Sequence, residues 1–383
     1  MLVLYICYDG ILDNLGQTQV LPYIYGLNDK GYDFIIFSFE RHDRTNEEFR
    51  KQELILKKRG IKWYHLTFYP RKYNRFLRLI IGPIKLNNIA RKNKINFAHI
   101  RSINAGTVFL LSLIKIPFLY DMRCFAGQLR DYGLIKNKWI LKIFLLFEKF
   151  LIHNSKGIVV LDESGKDFLQ KYFKIDKPLQ VIPTATNIKK FKKNKSVFNE
   201  DKIKFVLLGG AQFPYLPERA LSFIAFLSEN KINCTLDIIN QRHHKHIKQK
   251  VKQINFPEKL LRVFALKPNE IFKKLPDYDC GLVFIETGDW IRMSSPTKIG
   301  EYLAAGLHII GLEGIEILER LSKETKSVDI LPRDQNLDLK KISEILIKLK
   351  STNRKKESIL IAKKHYSLEK AVSKYLKLYK NFI

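Results

Sequence analysis

Short, almost uninterrupted apolar runs alternate with helical patterns along this sequence, and that alternation limits the fold more than any other feature. The first run, Leu2 to Cys7, ends at Asp9-Gly10. Gln19 to Asn28 then carries apolar residues at helical spacing, with Gly31 as its stop. Further runs are Phe34 to Phe39, Phe97 to Ile100, Phe118 to Tyr120, Gly157 to Leu161 and Leu179 to Ile182. Runs that are apolar at nearly every position belong to strands covered on both faces, and strands separated by helices pair in parallel. After Pro183 a basic stretch, Asn187 to Ser196, reads as a linker. A second series follows, with strands expected at Lys204 to Leu208, Thr235 to Ile239, Arg262 to Phe264, Cys280 to Phe284 and His308 to Gly311. A Lys-rich helical stretch, Leu337 to Ile383, closes the chain. The predicted class is α/β: two Rossmann-like, doubly wound parallel-sheet domains, residues 1–190 and 191–365. Two such halves joined by a hinge are expected to hold a ligand cleft at the carboxyl ends of both sheets.

Composition narrows the function. With 46% hydrophobic residues the chain is not of a disordered class, and its four cysteines lie far apart with no metal-ligand spacing. They read as free thiols of a reducing compartment. The opening residues lack the basic region of a signal peptide, and no apolar run is long enough to span a membrane, so a cytoplasmic protein is expected. Trp139 to Ile152, the most apolar stretch, reads as a core helix more than a membrane insertion. Lys and Arg total 68 against 38 acids. The excess is concentrated: from residue 54 to residue 120 there are fourteen Lys or Arg and no acid. Aromatic and aliphatic residues such as Trp63, Tyr64, Tyr69 and Phe76 lie between these bases. The mixture suits an anionic membrane surface, with docking expected around Arg71 to Lys94. No helix-turn-helix, zinc-finger or RNA-binding signature accompanies the charge, so nucleic acid is not an expected partner. His243-His244-x-His246 sits among bases that repel a cation and reads as a solvated helix face.

The stretch Met293 to Leu307 carries the chemistry. Ser294, Ser295, Pro296 and Thr297 precede a helix that stops at Gly306, with Ser295 expected as N-cap and Pro296 at the first helical position. Free amides and the positive end of the helix dipole form a ready phosphate site. Glu301 follows Thr297 by four residues, so both share one helix face, and its carboxylate can take two hydrogen bonds from a ribose diol. In the first half, Asp121 and Arg123 follow a strand, where an α/β sheet puts its ligands; a structural ion pair is the alternative. Gly16-Gln17 is expected in the loop after the first strand, either in ligand contact or as a plain turn.

Ser295-Pro296-Thr297-Lys298…Glu301-Tyr302-Leu303-Ala304-Ala305-Gly306 resembles the nucleotide-sugar signature of family 4 glycosyltransferases, which have the GT-B fold. Tyr8 to Tyr23 is similar to the opening of a bacterial polysaccharide branch of that family, and Asp121-Met122-Arg123 resembles that branch's Asp-x-Arg turn. Val181 to Phe191 looks like the segment entering the hinge, with Asn187 where Asp is usual. Tyr366-Ser367-Leu368 resembles the start of a closing helix, residues 366–383, that packs back on the N-terminal domain. The resemblance implies retaining transfer from a nucleotide-diphosphate sugar, without metal or other cofactor, to a saccharide or lipid-linked acceptor at the inner face of the membrane. It puts the donor on the C-terminal domain, with Glu301 at the ribose and Ser294, Ser295, Thr297 and Lys298 around the diphosphate. Asp121 and Arg123 then act on the acceptor side.

Two positions depart from the family pattern. Many members pair Glu301 with a second Glu eight residues earlier, where this chain has Met293; Glu286 or Asp289 would have to stand in. Members also place an Arg and a Lys after the first strand of the second domain. Here the loop Gly209 to Arg219 offers only Arg219, with Lys298, Arg292 or Arg123 as substitutes. A partner protein with weak catalysis is the rival reading these departures raise.

Overall fold

A computed structural model describes residues 1–382 except 69–72, 192–201, 211, 242–243, 255, 335–336 and 352. Tyr69, Arg71 and Lys72 of the expected docking segment, Lys192 to Ser196 of the linker, Ala211 and His243 lie outside the described residues. Two compact units divide the chain: Met1–Pro183 with Leu368–Ile383, and Thr184–Ser367. The first unit thus ends seven residues before the expected boundary at 190. Thr184 already belongs to the second, since its hydroxyl donates to the Ser295 carbonyl at 3.0 Å.

The first unit holds seven strands: β1 (Leu2–Cys7), β2 (Asp33–Arg41), β3 (Lys62–Phe68), β4 (Phe97–Arg101), β5 (Phe118–Asp121), β6 (Gly157–Val160) and β7 (Leu179–Val181). They pair in parallel in the order β3-β2-β1-β4-β5-β6-β7. The inner strands are buried at almost every position, as their apolar runs require. β3 carries no such run. It is an edge strand with Lys62 and His65 among its aromatics, so its sequence reads as a mixed basic segment. Trp63 Nε1 donates to Ser38 Oγ at 2.9 Å and its ring stacks on Phe49, which takes that aromatic out of the expected docking surface and into the sheet. Asn14–Gln19 and Leu21–Asn28 form two helices where one was expected, because Pro22 in the first turn of the second cannot donate to a preceding turn.

Helix Lys138–Asn154 corrects the reading of Trp139 to Ile152 as core. Only Glu148, Leu151 and Ile152 are buried, while Trp139, Ile143, Leu146 and Phe150 are exposed. Glu148 points inward and accepts from the Ala126 amide at 2.8 Å. Burial pushes its carboxyl up to about 8 despite that bond. A raised carboxyl stabilises the fold fully below its unfolded value and loses that contribution as pH rises through the folded one. Glu148→Gln should therefore match the wild type in urea unfolding near pH 4.5 and exceed it near pH 9, by on the order of 3 kcal/mol.

The second unit holds β8 (Ile203–Leu208), β9 (Cys234–Ile239), β10 (Leu261–Phe264), β11 (Cys280–Val283), β12 (His308–Leu312) and β13 (Val328–Leu331). They too are parallel, in the order β10-β9-β8-β11-β12-β13. Phe205, Leu207, Leu236, Ile238 and Leu282 pack with Leu221, Phe223 and Ile224 of helix Pro217–Glu229 into its core. The Lys-rich end is three helices, Leu339–Lys350, Arg354–His365 and Leu368–Tyr379, the last belonging to the first unit. His244 begins a helix whose inner face is Ile247 and Val251. Among the described residues no helix is long and apolar enough to cross a membrane.

Candidate functional site

In an open parallel sheet, ligands gather at the carboxyl ends of the two strands where the winding order reverses. In the second unit those strands are β8 and β11. β8 runs out into Gly209, whose φ of 103° is open to glycine and strained for other residues, and Gly210. Beside this end lies helix Thr297–Ala304, pinned there by Tyr302. The fully buried Tyr302 hydroxyl accepts from the Leu208 amide at 2.7 Å and donates to the Val206 carbonyl at 3.3 Å. Its ring fills the space that a side chain on Gly281 would need.

Tyr302 fixes the direction of Lys298, one turn earlier on the same face. The Lys298 ammonium lies 4.2 Å from the centre of the Tyr215 ring and 3.7 Å from the point where a Cβ on Gly209 would sit. It is buried and has no hydrogen-bond partner. Burial, opposed in part by Glu301, pulls it down to about 7; burial likewise pushes Glu301 up to about 7, opposed in part by Lys298. A desolvated ammonium and carboxylate three residues apart form a polarised pair whose ionisation an arriving anion and a pair of hydroxyl donors would restore. The cation missing from the loop after β8 is thus delivered to that loop by the neighbouring helix.

The other expected donor residues take varied places. The helix starts at Thr297 with Pro296 as N-cap and no side-chain capping bond, one residue later than expected; Pro296 is still extended, with ψ at 129°. Ser295 is buried against Thr184 through its carbonyl and hydroxyl. Ser294 caps the short turn Ile291–Met293, its amide bonded to the Ile291 carbonyl at 2.9 Å. Arg219 donates to the carbonyls of Pro332, Arg333 and Asp334, in the stretch that follows β13. Glu286 does lie at the carboxyl end of β11, but in an ion pair with Arg333 at 3.0 Å. Asp289 is exposed in the loop beyond it. Arg333 was not foreseen: it follows β13, a short edge strand too polar to be read as one.

In the first unit the reversal lies between β1 and β4. Register sets Arg101 opposite both Cys7 and Asp121. Asp121 is fully buried. Its carboxylate accepts from the Tyr375 hydroxyl at 2.8 Å and from His99 Nε2 at 3.2 Å, and pairs with Arg123 Nε at 2.8 Å. The Asp121 carboxylate can only accept, which puts a proton on His99 Nε2; burial favours the neutral ring, whose Nδ1 then accepts from the Tyr379 hydroxyl at 2.7 Å. Burial alone would raise the Asp121 carboxyl, but Arg123, His99 and Arg101 outweigh it and hold it well below the usual range. Arg123 also bonds the Tyr375 hydroxyl and the Ile182 carbonyl. Asp121 and Arg123 therefore form an ion pair tied to His99 and Tyr375, the arrangement that the structural alternative describes. Arg101 is buried beside them, with one terminal nitrogen 3.7 Å from the same Asp121 carboxylate and its Nε without a hydrogen-bond partner.

Gly16 and Gln17 are helical, within Asn14–Gln19, and not in a loop. A Cβ on Gly16 would come within 2.3 Å of the Gly10 carbonyl, so the helix packs directly on the chain leaving β1. Gln17 Nε2 donates to the Ile11 carbonyl at 2.8 Å, while Glu40 accepts from the Ile11 and Leu12 amides. Both residues shape the β1 loop from behind.

Residues 17–190 match the family model for Glycosyltransferase Family 4. No curated protein matches the sequence at a significant level. Among solved structures, sucrose-phosphate synthase from Thermosynechococcus elongatus is 13% identical, with a TM-score of 0.73 over 99% of this chain and 98% of that one. Anabaena HepE, solved in complex with UDP-glucose, is 13% identical with a TM-score of 0.67, covering 98% of this chain and 99% of its own. A glycosyltransferase from Rickettsia africae is 14% identical with a TM-score of 0.65, covering 100% and 98%. Residues 17–190 match a family 4 glycosyltransferase domain, and the whole chain has the two-domain GT-B fold of these solved structures.

Proposed function

We propose that the enzyme transfers a sugar, with retention of configuration, from a nucleotide-diphosphate sugar to a saccharide or lipid-linked acceptor in bacterial surface-polysaccharide synthesis. The observation that carries the donor half is the buried, unpartnered Lys298 ammonium at the end of β8. As the glycosidic bond breaks, negative charge develops on the departing diphosphate. A fixed cation and helix amides at that point stabilise it more than the ground state, which is how binding becomes catalysis. Lys298 and the amides at Thr297 and Lys298 take the diphosphate in this reading, and Glu301 takes the ribose diol. Lys298 meets the charge that a metal meets elsewhere, so the reading needs neither metal nor organic cofactor. The acceptor belongs to the first unit, where Arg101 ends β4. The acid-free charge of residues 54–120 supports peripheral attachment to the anionic inner face of the membrane.

A thermal-shift screen against UDP, GDP, dTDP, ADP and their sugars tests this. A ligand at 100 times its dissociation constant stabilises by about 2.7 kcal/mol, and Glu301→Gln should lose most of that shift with its fold intact. If no nucleotide moves the melting temperature, the donor reading fails. Arg219, engaged by backbone carbonyls after β13, favours a second reading, a partner protein with little turnover; it predicts nucleotide binding without transfer or hydrolysis.

A further inference from the structure

Helices Tyr73–Lys92, Ser102–Leu111 and Lys138–Asn154 lie side by side in the first unit. The middle helix is almost wholly buried, and two glycines let its neighbours close on it. A Cβ on Gly106 would meet Leu151 at 2.2 Å, and one on Gly82 would meet Val108 at 3.1 Å. The two outer helices are left with unpartnered apolar stripes. One exposes Ile80 and Ile84; the other exposes Trp139, Ile143, Leu146 and Phe150, spaced at successive turns, with Trp139 73% and Leu146 65% exposed. Right-handed crossovers put both stripes on the same side of the sheet.

From these stripes we infer that this face inserts into the headgroup region of an anionic lipid leaflet, with Trp139, Leu146 and Phe150 as its deepest side chains. The inference deepens the peripheral attachment proposed above and rests on it, but needs nothing of the donor chemistry. Charge selects lipid over a protein partner. Lys138, Lys142 and Lys149 are exposed among the apolar residues, and Lys142 lies over the Trp139 ring at 4.6 Å. The cores of protein interfaces exclude lysine, whereas lysine stems run along apolar surface and carry the ammonium to a headgroup. Tryptophan, apolar with one donor, favours that same boundary. The only carboxylate of helix Lys138–Asn154, Glu148, faces inward, so nothing on the stripe repels anionic lipid. The distribution of charge along the sequence points the same way, since the other stripe belongs to the segment with no acid at all.

Flotation with vesicles of phosphatidylcholine alone, or with phosphatidylglycerol added, tests the face on the full chain. Wild type should float with the anionic vesicles, and brominated lipid should quench Trp139, read as the difference between wild type and Trp139→Phe. The triple variant Trp139→Ser, Leu146→Ser, Phe150→Ser alters only exposed side chains and should keep its melting temperature. It should lose vesicle partitioning by about tenfold or more, as the loss of three inserted side chains requires. Unchanged binding by the triple variant, or Trp139 unquenched on bound protein, overturns insertion and leaves attachment by charge alone. A wild type that ignores vesicles removes attachment as well. A wild-type dimer that the triple variant dissociates, with no vesicle binding, assigns the face to a second copy of the chain and also overturns it.

Discussion

Lys298→Met is expected to weaken binding of a nucleoside diphosphate by roughly tenfold to a hundredfold, the ~1.5–3 kcal/mol of a charge-assisted hydrogen bond, and to stabilise the unliganded protein at neutral pH. The two effects have one cause. The ammonium is buried without a hydrogen-bond partner, so the free protein bears its desolvation and a ligand recovers it. Its folded value, about 7, lies below the unfolded 10.5. The penalty is therefore complete below pH 7 and fades as pH rises toward 10.5, so the gain in the methionine variant should shrink over that interval. An anion at Lys298 restores its charge, and binding at pH 8 should take up a proton. Calorimetry in buffers of different ionisation enthalpy reads that uptake. A variant that binds nucleotide like wild type removes Lys298 from the donor site.

Asp121→Ala should cost about 3–5 kcal/mol of stability in the first unit, since removing one partner of a buried pair leaves the other charge uncompensated. Here two guanidiniums, Arg123 and Arg101, lose the same carboxylate, and His99 and Tyr375 lose their acceptor. Replacing both Asp121 and Arg123 with Leu and Met should recover much of the loss, because an apolar pair leaves less unpaired charge. Acid should act like the single variant. A carboxyl held below its unfolded 3.8 gives stability present above that value and lost as pH falls through the lower folded one. Unfolding followed by Trp63 fluorescence reports on this unit. An Asp121→Ala protein of wild-type stability that had lost turnover would return Asp121 to the substrate.

The fold was legible wherever burial was complete. Inner strands such as β1, β4 and β11 are apolar because helices cover both faces, and that is visible in a single sequence. The edge strands β3 and β13 were not, since one open side admits Lys62, His65 and Asp329. Helix Lys138–Asn154 misled for the opposite reason: apolar residues on all sides describe a core helix and an uncovered one equally well. That Lys298 and Glu301 share one helix was legible from the small polar residues and proline before it, although the helix starts one residue later than they suggested. The fate of Arg219 and of Asp121 was not. Each depends on partners more than 100 residues away, Arg333 and Tyr375, and nothing near either residue announces them.

The first unit is sealed by Tyr375 and Tyr379, which lie beyond the whole of the second unit in the chain. A ribosome making this protein releases residues 1–183 long before it makes the side chains that cap Asp121 and His99. During that interval the second unit has every strand it needs, while in the first the Asp121 carboxylate and the His99 ring each lack a tyrosine hydroxyl partner. The order of completion is thus the reverse of the order of synthesis. Loss of the last sixteen residues would injure the beginning of the chain and spare its middle.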